Sequence, residues 1–316
     1  MNKISTRTAY GEALAEIGAD ERIVVLDADL QCCTRTEKFG ALYPERSFNV
    51  GIAEANMVGM AAGLAACGKI VFVNSFAMFT AGRAFEQIRN SLAYPRLNVK
   101  VIGTHAGVTV GKDGATHQCL EDLAAMRAIP GMMVLSPCDA NETRLVTRAI
   151  AQYDGPCFMR LGRLDVEQCT NLIPEYTFEL GKASKLADGG DVAIIATGLM
   201  VQEAMKAVEL LRAKGIEATV LDIHCVKPLD EEAVIAAARK TGCIVTAEEA
   251  NILGGLGAAV AEVVCENCPV PVLRVGIRDE FGRSGDPLAL MELYQITAKD
   301  IAEKAEAAVA MKKEHE

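Results

Sequence analysis

Short apolar runs alternate along this chain with longer stretches of helical spacing. Runs at 23–27, 47–50, 70–74, 99–103, 133–136 and 157–161 read as strands. The stretches at 3–20, from Ala53 to about Cys67, at 80–94, 120–129 and 139–152 read as helices, with stops at Gly18, Pro95 and Pro130-Gly131. Residues 164–190 break the rhythm with scattered polar positions, Pro174 and the turn Asp188-Gly189-Gly190. The rhythm then resumes, with strands at 192–197, 218–223, 243–247 and 270–275. Helices are expected at 200–213, 230–240, 256–266, 287–293 and 298–312. Apolar strands alternating with helices predict parallel sheets covered on both faces. The expected fold class is therefore α/β, with two parallel-sheet domains at 1–165 and 185–316 joined by a linker at 166–184. The two halves do not align as repeats.

Composition narrows the possibilities. The chain has 316 residues, 51% of them hydrophobic and 23% charged, enough for two well-packed domains. Its net charge is −10, and without a basic run it offers nucleic acid no footprint. Met1-Asn2-Lys3-Ile4-Ser5-Thr6-Arg7 lacks a signal-like apolar region, and no apolar run reaches membrane-spanning length. A soluble, cytoplasmic protein that makes no membrane contact is expected. Eleven cysteines are present, among them Cys67, Cys157, Cys225 and Cys243 in apolar segments. The Cys265/Cys268 pair has no second pair to complete a zinc site, which needs about four ligands. Reduced, mostly buried thiols are expected, and no metal ligand on this chain.

The candidate chemistry lies in loops after strands of the first domain, where open α/β sheets bind their ligands. Asp27 and Asp29 follow one strand, and Ser75 and Phe76 another. Glu54 opens an apolar helix among Ile52, Ala53, Ala55 and Met57. Such a carboxylate is paired, protonated, employed in chemistry, or simply stabilised by the helix dipole. The loop 103–118 holds two of the four histidines, His105 and His117, with glycines 107, 111 and 114. A loop of that length in a compact domain is uncommon without a function, and imidazoles suit acid–base work near neutral pH. In the second half, Glu248-Glu249 precedes Gly254-Gly255-Leu256-Gly257, whose spacing is not that of a dinucleotide fingerprint. A structural strand-to-helix turn is expected there.

Gly51-Ile52-Ala53-Glu54-Ala55-Asn56-Met57, the pair Phe76 and Phe79, and the loop from His105 to His117 together resemble the transketolase family. The likeness covers its pyrimidine-binding and C-terminal domains. It implies that Glu54 hydrogen-bonds N1′ of the aminopyrimidine of thiamine diphosphate, and that Phe76 and Phe79 pack on that ring. Asp29 would line the cofactor pocket. His105 and His117 would act on the substrate side, and Asp113 would read a substrate hydroxyl. Arg7 and Arg160 would bind the substrate's phosphate beside Cys33, which stands where the family often has Ser. Core packing for the phenylalanines and ordinary ion pairs for the arginines are the plain alternatives. Gly82 stands where many members have a third aromatic, so the pocket wall there must differ.

Family members hold diphosphate and Mg²⁺ or Ca²⁺ with a Gly-Asp-Gly followed by Asn, and this sequence contains no Gly-Asp-Gly. The metal ligands are therefore expected on a separate N-terminal subunit. The resemblance implies one subunit of a split transketolase that transfers a two-carbon ketol unit between sugar phosphates, with homodimerisation through this chain giving a heterotetramer. Two related alternatives are a 1-deoxyxylulose-5-phosphate synthase-like chain and a 2-oxo acid dehydrogenase E1 β-type subunit. The sequence 111–118 favours transketolase over the E1 β-type subunit; the synthase shares much of that loop, and His105 after Thr104 favours transketolase over it. A non-catalytic module that has lost its cofactor is a third, disfavoured by the retention of Glu54 and both histidines.

Overall fold

The computed structural model describes residues 3–173 and 176–315, so Pro174 of the expected linker lies outside the described residues. Seven strands form the first sheet in the order Cys225–Lys227, Met133–Leu135, Cys157–Arg160, Val99–Thr104, Ile70–Phe76, Ile23–Asp27 and Ser47–Asn49. All of its pairings are parallel except that of Cys225–Lys227 with Met133–Leu135. The second sheet runs Val272–Ile277, Ile244–Asn251, Val192–Ala196, Ala218–Asp222 and Ser184–Ala187, with only the last strand antiparallel. The central strands are buried along their whole length, as expected for parallel strands covered on both faces. This is the α/β architecture that the alternation predicts.

Four local departures from the expected pattern bear on the site. The first helix is shorter than 3–20. It spans Thr6–Ile17, because Ile4–Ser5 pairs with Asp165–Val166. Thr6 Oγ1 accepts from the Gly162 amide at 2.9 Å, which lays Arg7 against the 162–165 loop. Short helices at Gln31–Thr34 and Glu37–Leu42 fill a stretch that shows no helical period in the sequence. The expected helix at 80–94 is instead two π-helical turns, Met78–Arg83 and Ile88–Ala93, flanking one α turn. Finally, Cys225–Lys227 lies within the second half of the chain yet completes the first sheet.

The two halves are joined through their interiors. One apolar cluster runs from Leu26 and Val73 of the first sheet through Leu123 and Met126 to Leu256 and Val260 of the second half. At the carboxyl end of Val192–Ala196, where ligands bind in many α/β sheets, Thr197 Oγ1 donates to the Ser136 and Ile223 carbonyls. Ser136 of the first domain thus reaches the carboxyl end of that second-domain strand. All eleven cysteines are free. Five are buried, but Cys32, Cys67 and Cys265 are exposed, so burial is less general than expected.

Candidate active site

The carboxyl ends of strands Ile23–Asp27, Ile70–Phe76 and Val99–Thr104 bring most of the expected residues together. Asp27 is buried there and accepts from the Leu30 amide (2.6 Å), Thr34 Oγ1 (2.6 Å) and Thr36 Oγ1 (3.1 Å). These bonds order the turn that carries Asp29, Cys33 and Arg35. Asp29 adopts a left-handed φ of 64° and exchanges hydrogen bonds with Asn49, whose Oδ1 also accepts from the Gly51 amide. The Asp29 turn is thereby tied to the approach to Glu54.

Glu54 is the first residue of the helix Glu54–Ala66, and its side chain is 1% exposed. Its carboxylate accepts from Arg83 Nη1 at 2.9 and 2.8 Å. Phe76 and Phe79 lie 5.7 Å apart, ring centre to ring centre, with planes 16° from parallel. His105 stacks on Phe76 at 3.8 Å, and His117 meets Phe79 edge-on at 5.4 Å. Both phenylalanines thus face the histidine loop at the carboxyl end of the sheet, although Phe76 is largely buried.

The protonation of His105 follows from its neighbours. Nε2 lies 3.2 Å from Arg7 Nη1, which can only donate, so Nε2 accepts. Nδ1 therefore carries the proton and faces Thr104 Oγ1 at 3.0 Å. Burial, then the charges of Arg7 and Arg163, push the imidazole down to about 3, so it is neutral at physiological pH. His117 Nδ1 pairs with Thr116 Oγ1 at 3.0 Å.

Beside the histidines is a cavity of about 460 Å³ lined by Arg7, Arg35, Lys112 and Arg163, with Asp165 the one acid. Arg7 donates to the Cys33 carbonyl at 2.9 Å, so Cys33 meets it through its backbone. Burial, then Arg35 and Arg163, lower the Arg7 pKa. Such converging cations suit an anion. Asp113 pairs with Arg163 at 3.3 Å on the rim.

Arg160, expected to bind the substrate's phosphate, does not line this cavity. Its side chain is 6% exposed, Nε donates to Asp122 at 2.8 Å, and Nη2 donates to the Glu249 carbonyl at 2.6 Å. Asp122 and Glu249 outweigh burial and hold the guanidinium protonated. Nε and Nη2 are thus engaged at the domain junction. Arg163, three residues past the strand end, faces the cavity instead. Arg163 lies in the loop beyond that strand's end, where ligands of α/β sheets commonly bind.

The second half supports the histidine loop from behind. Gln118 Nε2 donates to the carbonyls of Val108 (3.0 Å) and Arg283 (2.8 Å), and Ser284 Oγ donates to Lys112 O at 2.6 Å. Glu249 Oε1 accepts from the Thr109 amide at 2.7 Å, and a Cβ on Gly107 would lie 2.2 Å from that carboxyl group. Glu248 accepts from the Leu256 and Gly257 amides, both at 2.8 Å. A carboxylate thus occupies the helix start where a dinucleotide phosphate would sit. Burial pushes Glu248 up to about 7.

Cys138, Glu142 and Asp222 form a buried cluster at the domain junction. Glu142 is committed there. It accepts from the Cys138 amide at 2.7 Å and from Tyr176 Oη at 2.8 Å, closing the cap of the helix Ala140–Gln152.

Comparison with known proteins agrees with this geometry. Residues 2–168 match the profile of the transketolase pyrimidine binding domain, and residues 181–301 match that of the transketolase C-terminal domain. The chain belongs to the transketolase family. A putative transketolase C-terminal section of Methanocaldococcus jannaschii is 50% identical over 300 residues, spanning 94% of each chain. A 6-deoxy-6-sulfo-D-fructose transketolase subunit of a Clostridium species is 48% identical, covering 95% of this chain and 92% of its own. A solved structure described as a split gene transketolase, inactive beta4 tetramer, superposes with a TM-score of 0.89 at 47% identity. It covers 98% of this chain and 100% of that one. As a transketolase family member, the chain belongs to a thiamine diphosphate-dependent group. The buried Glu54 carboxylate and the neighbouring Phe79 ring are hydrogen-bonding partner and platform of the kind an aminopyrimidine needs. Among the described residues, no helix is long and apolar enough to cross a membrane.

Proposed function

We propose that this chain is the C-terminal subunit of a split, cytoplasmic transketolase that moves a two-carbon ketol unit from a ketose phosphate to an aldose phosphate. The observation that carries this reading is the carboxyl end of one sheet. Glu54, Phe79, His105 and His117 gather there, beside a cavity with four cationic side chains. Thiamine diphosphate, when bound, supplies the nucleophilic carbon that receives the ketol unit. The residues of this chain do the rest. Glu54 exchanges a proton with N1′ of the aminopyrimidine from within an apolar site, where such an exchange is strong. Phe76 and Phe79 orient the ring, and Asp29 lines its pocket. His105, neutral and with Nδ1–H fixed by Thr104, offers Nε2 to a substrate hydroxyl once Arg7 turns to the anion. His117, edge-on to the Phe76 and Phe79 rings, also binds substrate, and Asp113 reads a hydroxyl. Arg7 and Arg163 take the phosphate, with Cys33 at its edge. A guanidinium is well matched to that anion.

The diphosphate and its Mg²⁺ or Ca²⁺ belong to an N-terminal subunit, and two copies of each chain make a heterotetramer. The relatives support a separate partner, being named as a section or a subunit of a transketolase. The test is to assay ketol transfer with this chain alone, with the diphosphate-binding subunit alone, and with the two mixed. Transfer is expected only in the mixture. Transfer by this chain alone would refute the shared site. One relative is named for a sulfonated fructose, so sulfonate and phosphate sugars are both assayed. The phosphate ester is expected to be preferred.

A further inference from the structure

Arg83 makes the two contacts that the proposed function assigns to the cofactor's ring. Its Nη1 donates to both oxygens of Glu54, at 2.9 and 2.8 Å. Its guanidinium carbon lies 4.6 Å from the centre of the Phe79 ring. A flat, cationic N–C–N group is thus hydrogen-bonded to the carboxylate and laid on the aromatic. An aminopyrimidine is also a flat N–C–N system, and one held by Glu54 and packed on Phe79 would need the same space. The two cannot be there together.

Exposure shows which side moves. The Glu54 side chain is 1% exposed and that of Arg83 is 51% exposed, so the guanidinium is the cover through which the carboxylate is reached. The local backbone favours a movable cover. Arg83 ends the π-helical turn Met78–Arg83, a geometry that recurs at functional sites. Its neighbour Gly82 has no side chain to wall the mouth, and a Cβ there would meet only the flexible end of Met78. Where the family often places an aromatic, this chain leaves an opening with an arginine beside it. The arginine also meets a need of the uncomplexed chain, because a buried carboxylate without a counter-ion is strongly disfavoured.

We propose that Arg83 is a displaceable stand-in for the aminopyrimidine, sealing Glu54 in the free chain and swinging out to solvent when the cofactor binds. The inference rests on the thiamine diphosphate reading of the site. It has a quantitative consequence. A ligand that binds only the open form shows an affinity reduced by the open fraction, so removing the cover tightens binding.

The test titrates thiamine diphosphate, with Mg²⁺, by calorimetry into the complex of this chain with its diphosphate-binding subunit. Wild type is compared with R83M, which keeps the length and loses the charge, and with R83Q, which keeps a flat but neutral head. R83M is expected to bind roughly 5- to 50-fold more tightly, and R83Q to fall between it and wild type. Thermal midpoints supply the second reading. R83M should melt about 2–8 °C below wild type as the free chain, and that difference should vanish in the cofactor-loaded complex, where Glu54 has its other partner. An arginine with a merely structural role would lower both midpoints and weaken binding. Equal or weaker affinity in both variants, with the complexes assembled, overturns the proposal. A wild-type complex that binds no thiamine diphosphate would instead refute the reading on which it rests.

Discussion

Glu54→Gln keeps the shape of the side chain and removes the carboxylate proposed to exchange a proton with the cofactor. Turnover by the reconstituted enzyme should fall by at least about 10²-fold, the usual reach of general acid–base catalysis. Circular dichroism should show the fold intact. Near-wild-type turnover would return Glu54 to a simple helix-start role. His105 yields a different kind of prediction. Its imidazole titrates at about 3 when folded and near 6.5 in an unfolded chain. Above about pH 6.5 both states are neutral and the group does not affect the pH dependence. Below that pH the unfolded chain binds a proton that the folded chain refuses, so stability falls by up to about 1.4 kcal/mol per pH unit until the folded group titrates. His105→Gln removes that slope. From pH 7.5 to 5.0, its stability relative to wild type should improve by about 2 kcal/mol in urea unfolding at fixed protein concentration. A pH-independent difference would mean that His105 is not held neutral by burial and its arginine neighbours.

At the scale of elements, the histidine loop is held in place by residues that do no chemistry. Gln118 is its pin, since one amide group serves carbonyls on both sides of the loop and on the segment at Arg283. A Cβ at Gly282 would lie 1.8 Å from Gln118 Oε1, so only glycine lets the second half approach this closely. Gln118→Leu should strand those carbonyls and loosen His117. Cofactor affinity should stay within about twofold, while kcat/KM for ketose falls roughly 10- to 150-fold, the equivalent of about 1.5–3 kcal/mol. Lost cofactor binding in a folded variant would place the loop on the wrong side of the site. These elements also mark where the sequence could be read. The parallel strands were legible because each is a buried apolar run between helical periods. The ladder at Ile4–Ser5 was not, because two residues carry no period and the partner lies about 160 residues away. The π turns were hidden because their one-residue expansion leaves the apolar spacing close to that of an α-helix. Of the site, Glu54 and the two histidines stood out by residue type in an unusual setting. Arg35, Lys112 and Arg163 did not, because only the fold turns surface-like cations toward one cavity.

For the molecule as a whole, Arg160 and Arg163, three residues apart in sequence, sit in different surroundings, one at the domain junction and one on the cationic cavity. Arg160 joins Asp122 of the first half to the Glu249 carbonyl of the second, fully enclosed, while Arg163 lines the cationic cavity with Arg7. A buried pair is costly to break because the remaining charge is left without a partner. Arg160→Met should therefore lower unfolding stability by about 3–5 kcal/mol. Any variant protein that stays folded should keep the wild-type preference for phosphorylated over unphosphorylated ketose. Arg163→Met loses a half-exposed pair with Asp113 and a hydrogen bond to the Val110 carbonyl, and its stability should change by less than about 2 kcal/mol. Its effect belongs in recognition. A charge-assisted contact to phosphate contributes about 1.5–3 kcal/mol, so kcat/KM for the phosphorylated ketose should fall roughly 10- to 150-fold, with little loss for the unphosphorylated one. The measurement is the ratio of the two specificity constants, alongside the urea midpoint, for both variants. If Arg160→Met changed the ratio and Arg163→Met changed the midpoint, the roles would be reversed and the cavity would not be the phosphate site. If neither changed the ratio, the anionic end of the substrate would lie elsewhere, and the sugar-phosphate reading would lose the cavity as its support.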